Sequence, residues 1–110
     1  MIEQRIEAIE STIESAGNIP HDQKAELLNL VSELKSEVKA LAETHHDEAS
    51  SITRFADASA HAAARSEKNP QLAVTALEGL RLSIRGLEES HPVIVRVVNR
   101  FATALSNMGI

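Results

Sequence analysis

The 110 residues amount to one domain of chain, with little to spare for a separate catalytic unit. Apolar residues make up 43% and charged residues 25%, which excludes wholesale disorder; with two Phe and no Tyr or Trp, the core must be aliphatic and alanine-filled, as suits helices better than sheets. The absence of cysteine excludes disulfides, thiolate ligands and thiol nucleophiles, and a net charge of -5 without stacking aromatics disfavours direct nucleic-acid binding.

Ile2, Ile6, Ile9, Ile13 and Ala16 recur at steps of four and three, the stripe of an amphipathic helix, while Glu3, Glu7, Glu10 and Glu14 occupy other faces. This spacing predicts a first helix over about residues 2–16. Gly17-Asn18-Ile19-Pro20 predicts its end, with Gly17 as a left-handed cap and Pro20 unable to continue the helix. Leu27, Val31, Leu34, Val38 and Leu41 then repeat at the same step, widened by Leu28 and Leu30, and predict a second helix over 22–45 that folds back on the first.

The stripe next meets His45 and Glu48 and recovers at Ile52 and Phe55 with no Gly or Pro between. Residues 22–68 are therefore either one helix about 65 Å long at 1.5 Å per residue, or two helices parted near His46–Ser51. Asp47, Ser50 and Ser51 are capping residues, and a helix of that length would outrun its neighbours, so the break is the preferred reading, with a third helix over 51–68. Within it Ala56, Ala60 and Ala63 share a face. That face either admits another helix closely or reflects plain helix propensity in an exposed segment.

Asn69-Pro70 opens a fourth helix over 70–89, with Ala73, Leu77, Leu80, Ile84 and Leu87 as its stripe and Glu78/Arg81 and Arg85/Glu89 as local pairs. Pro92 pushes His91 out of the α region and starts a fifth helix over 92–108. Val93, Ile94, Val97, Val98, Phe101, Ala104, Leu105 and Met108 give this helix a broad apolar face, opposite Arg96, Arg100, Thr103 and Asn107. It is predicted to be the most buried and central element. A left-handed Gly109 would let Ile110 pack on Leu105 as the hydrophobic contact of a Schellman cap. The expected fold is all-α: antiparallel hairpins or a bundle of four to five helices with coiled-coil-like packing.

Ser90-His91-Pro92, followed by Phe101 and closing in Ala104-Leu105-Ser106-Asn107-Met108-Gly109-Ile110, resembles the C-terminal signature of the small bacterial proteins grouped as domain of unknown function 4404. The resemblance covers roughly the last fifth of the chain and rests on the spacing of its S-H-P and L-S-N-M-G-I elements. It implies a short, all-helical protein with no assigned activity. The signature residues Ser90, His91, Pro92, Phe101, Leu105, Gly109 and Ile110 are read as structural.

The sharpest chemical pattern is a pair of Glu-x-x-His spacings, Glu43 with His46 and Glu88 with His91. On helices each spacing places a carboxylate and an imidazole on one face, and two facing pairs supply half of a di-iron or di-manganese site. Two further core carboxylates are required, and Glu10, Glu14 and Glu33 fall on solvent faces, so solvated helix ends are the preferred reading and no cofactor is expected. His45-His46-Asp47-Glu48 and the Asp57/His61 pair are candidate surface zinc ligands, each more simply an exposed polar pair. His45 on the seam is alternatively a specificity or pH element in helix pairing.

No G-x-S-x-G elbow or Gly-rich phosphate loop is present, so a non-enzymatic protein is expected. The opening Met-Ile-Glu-Gln-Arg-Ile-Glu lacks the character of a leader, and no run approaches the ~18 apolar residues of a membrane span. A cytoplasmic protein is the expectation. Charge is uneven: residues 1–50 carry 4 basic and 11 acidic groups, residues 51–110 carry 7 and 5. Arg81, Arg85, Arg96 and Arg100 thus form a candidate patch for an acidic partner, or for the acidic half of this chain or of a second copy, which is preferred. The leading function is an assembly or adaptor module acting through helix–helix contacts, self-associating and open to a protein partner. The alternatives are a metal-binding bundle built on the Glu-x-x-His pairs and an acidic regulator of a nucleic-acid-associated protein.

Overall fold

The structure, a computed structural model, describes residues 2–108. The stripes fold into five helices, α1 Ile2–Ser15, α2 His21–Ala42, α3 His46–Ala64, α4 Pro70–Ser83 and α5 Pro92–Ser106, with no strand among the described residues. The expected cap at Gly109 and Ile110 lies outside them.

The first two helices form an antiparallel hairpin. Lys39 Nζ lies 2.9 Å from Glu3 Oε1 near one end, and Lys24 Nζ donates to the Glu14 carbonyl at 3.0 Å near the other. The hydrogen bond and charge of Lys39 hold the Glu3 carboxyl below its ordinary pKa. Ile6, Ile9 and Ile13 of α1 and Leu27, Leu30, Val31, Leu34, Val38 and Leu41 of α2 join one apolar core, none more than 2% exposed. Each such side chain contributes about 1.5–3 kcal/mol of burial.

The turn joining them departs from expectation. Among the described residues only Gly86 has a positive φ, so Gly17 is not a left-handed cap. The turn is tied down from outside instead: Ile19 is buried, and the Asn18 side-chain amide donates to the carbonyls of Ala63 at 3.0 Å and Arg65 at 3.3 Å. Lys68 Nζ also donates to the Ala63 carbonyl, at 2.6 Å. These bonds satisfy acceptors that α3 leaves open at its C-terminus.

Two helices, not one, occupy residues 22–68, and they part at Glu43–His45 rather than within 46–51. The Leu41 carbonyl accepts from both Thr44 N and His45 N, closing α2, and His45 then leaves the helical region at φ -134, ψ 64. α3 begins at His46, so Asp47 and Glu48 stand in its first turn, where the positive end of the helix dipole favours carboxylates. It ends at Ala64, short of 68, because Arg65 is extended.

The central helix is α3, not α5. It packs against all four others, whereas α5 packs chiefly on α2, less on α4 and α3, and not on α1 among the described residues. The physical reason is girth. Ala49, Ala56, Ala60 and Ala63 are at most 1% exposed, so α3 presents a thin cylinder that several neighbours approach at once. The alanine face is therefore a packing face.

α4 starts as expected, with Asn69 Oδ1 accepting from Leu72 N at 3.1 Å, but ends at Ser83 rather than 89. Gly86 at φ +92 interrupts it, a conformation open to glycine at no steric cost, and Glu88 Oε1 accepts the Gly86 N–H at 2.7 Å. Ile84 and Leu87 stay buried although they lie in the connector. α5 runs antiparallel to α2, with Arg100 Nη1 3.6 Å from Glu33 Oε2 and Pro92–Ile94 beside Ala40 and Leu41. Its buried face is turned from the expected one: Ala102 is fully buried and Val93 is 45% exposed. No described helix is long and apolar enough to cross a membrane.

Candidate functional site

Two segments of like sequence end in like geometry. Leu41-Ala-Glu-Thr-His45 and Leu87-Glu-Glu-Ser-His91 share the pattern Leu-x-Glu-(Thr/Ser)-His and precede α3 and α5. In each, the histidine N–H donates to the carbonyl of the leucine four residues back, at 2.7 and 2.8 Å. In each, the histidine backbone leaves the helical region in the same way, φ -134 and ψ 64 at His45, φ -137 and ψ 62 at His91. The histidine carbonyl then accepts the first bond of the new helix, from Ala49 N and Val95 N.

The side chains follow the same plan. The Thr44 hydroxyl lies 2.7 Å from His45 Nδ1 and the Ser90 hydroxyl 2.9 Å from His91 Nδ1. Neither histidine side chain caps its helix, and two hydroxyls of the kind that cap well hold imidazoles instead. The antiparallel α2–α5 packing brings the joints together. The two rings are half-buried with centroids 5.0 Å apart and planes at 78°. Glu37, Ala40 and Leu41 of α2 complete a shallow depression beside Ser90, His91 and Pro92.

The residues singled out from spacing are dispersed by this arrangement. Glu43 is the exposed C-cap of α2, His46 is exposed and 4.0 Å from Asp47, and the Glu88 carboxylate is bound to the Gly86 amide. Only His91 of the four meets another histidine, and that one is His45. The two Glu-x-x-His pairs therefore build no four-residue cluster. Glu88 and His91 lie in the connector, where residues three apart share no helix face, and no group of three or more His, Asp or Glu among the described residues is placed to hold a metal. Asp57 is engaged otherwise, 3.4 Å from His61 Nε2 and 3.8 Å from Arg5 Nη1. The signal for the true pairing was present: the five-residue pattern recurs with His45 and His91 46 positions apart.

A second feature lies on the outside of the α3–α4 hairpin. Leu72, Thr75, Gly79 and Leu82 follow one another at steps of three, four and three, a seam on the exposed side of α4. Phe55 of α3 lies over Gly79, so close that a Cβ there would clash with its ring carbons. Phe55 is 39% exposed, Leu72 46%, Val74 49% and Leu82 56%. Glu78, Arg81 and Arg85 stand beside Leu82. Of the four candidate basic residues Arg100 is paired with Glu33, while Arg81, Arg85 and Arg96 make no ion pair among the described residues.

No family model matches this chain, and no curated protein or solved structure shows significant similarity to it.

Proposed function

We propose that the protein is a non-enzymatic helical assembly module that pairs with a second copy of itself through the outer face of the α3–α4 hairpin. One observation carries this reading: of the five large apolar side chains left exposed among the described residues, Phe55, Leu72, Val74, Leu82 and Val93, four belong to that hairpin. Apolar residues on both the inner and the outer side of a helix are the pattern of an element covered on both sides. α4 is covered on one.

Charge favours a second copy as the cover. Glu78 lies one turn from Arg81 on α4, and Arg85 follows just beyond the helix on the same rim. When α4 packs antiparallel on its own mate about a two-fold axis, each Glu78 comes opposite the mate's arginines, so the same surface complements itself. Light scattering tests this directly. The expected particle has twice the 11.9 kDa mass of the chain, and Leu82→Glu should reduce it to one chain while helicity stays near the parent's, since Leu82 is exposed within the chain. A parent protein of single-chain mass at high concentration overturns the proposal.

A further inference from the structure

We infer that His45 and His91 together bind one divalent transition-metal ion of the zinc, nickel or copper kind through their Nε2 atoms. This stands independently of the self-association reading. Distance is the first argument. With metal–nitrogen bonds of about 2.0–2.1 Å the ion sits about 3.2 Å from each ring centre, and a tetrahedral angle then separates the two ring centres by about 5.2 Å. The observed separation is 5.0 Å.

The same separation suits two rings that merely pack edge to face. The hydroxyls distinguish the cases. Ring packing asks nothing of the nitrogens, yet both joints direct a hydroxyl at Nδ1 and leave the helix start without a side-chain cap. In the tautomer in which each Nδ1–H donates to the Thr44 or Ser90 oxygen, the lone pair of each ring resides on Nε2, as a metal requires. Outer bonds of this type are what orient metal-binding imidazoles.

Imidazole donors select zinc, nickel and copper over magnesium and calcium. Both rings are half-buried, so water completes the coordination from the open side. The starts of α3 and α5 bring two positive helix ends to the site and the end of α2 one negative end, a net field against a cation that the imidazole nitrogens must outweigh. A bound ion would clip the α2–α3 joint to the α4–α5 joint, and because the unfolded chain lacks that pairing, binding stabilises the fold.

The test is calorimetric titration with zinc chloride, alongside thermal melts in zinc and in magnesium. One zinc per chain and a rise in melting temperature of several degrees are expected, with no rise in magnesium. His45→Ala and His91→Ala should each abolish both effects, and His45→Gln and His91→Gln carry the same test if the alanine variants do not fold. Ser90→Ala should weaken binding about tenfold without abolishing it, and His46→Ala should leave it intact. A melting temperature indifferent to zinc, zinc binding that survives His45→Ala, or binding lost with His46→Ala overturns the site.

Discussion

The two hairpins of this bundle solve the problem of burial in opposite ways. In α1–α2 the interior is isoleucine, leucine and valine and the outside is charged, with Glu3, Glu7, Glu14 and Lys39 in water. In α3–α4 the interior is largely alanine, with Ala49, Ala56, Ala60, Ala63, Ala73 and Ala76 turned inward, while Phe55, Leu72, Val74 and Leu82 face out. Both pack. The first gains its stability from side-chain volume, the second from slimness that lets α3 serve four neighbours. A hairpin built on small residues also has large apolar ones to spare for its surface, which is where the proposed assembly face lies.

The contrast predicts opposite sensitivities to volume. Leu34 is fully buried in the aliphatic half, and Leu34→Ala should cost about 2–5 kcal/mol, the range for leucine truncations that leave a cavity. Urea unfolding measures it, and a loss below 1 kcal/mol would show that the first hairpin is loosely packed. The alanine half should tolerate truncation and resist enlargement. Ala60 is 1% exposed at the centre of α3, so Ala60→Leu should destabilise by about 1–3 kcal/mol through overpacking. A neutral or stabilising Ala60→Leu would mean that α3 has room to spare and would remove slimness as its organising feature.

Much of this contrast was legible in the sequence. The Ile2–Ala16 and Leu27–Leu41 stripes mark their helices because a period of three and four states which side is buried, and the structure buries that side. The alanine stretch left two readings open, since alanine favours a helix whether buried or exposed. What decides is the presence of neighbours, a tertiary fact. The same holds for the joints. No glycine or proline stops α2 at Ala42; the helix closes with a bifurcated bond at the Leu41 carbonyl, and His45 seats against His91. The early end of α4 was within reach through Gly86, but Ile84 and Leu87 continue the apolar stripe through the connector and conceal it.

The candidate site was half legible. His91 was marked by the proline after it, but its partner was sought three residues away, by helical spacing, in a segment that is not helical. Comparing Leu41–His45 with Leu87–His91 as segments, rather than counting spacings within each, leads to His45. The centrality of α3 is hidden in the sequence for a related reason. Apolar breadth marks how much of a helix is buried, whereas the number of partners depends on how near they can come, and small side chains govern that.

Within the alanine-built hairpin Phe55 lies over Gly79, and a double-mutant cycle there gives the smallest expected effect and the finest test. Gly79 lies inside α4, so Gly79→Ala gains about 1 kcal/mol of helix propensity. The new methyl would clash with the ring carbons of Phe55, which must swing away. The ring is 39% exposed, so it has somewhere to go, but it gives up its contact with the helix and exposes more apolar surface. The two effects are of similar size, and Gly79→Ala alone should change stability by less than about 0.5 kcal/mol. In a Phe55→Ala background only the gain remains, so the same substitution should stabilise by about 1 kcal/mol, a coupling measurable by denaturant titration of the four proteins. Equal gains in both backgrounds would show that the ring does not occupy the glycine notch, and with it would go the continuous apolar seam on which the dimer model is drawn.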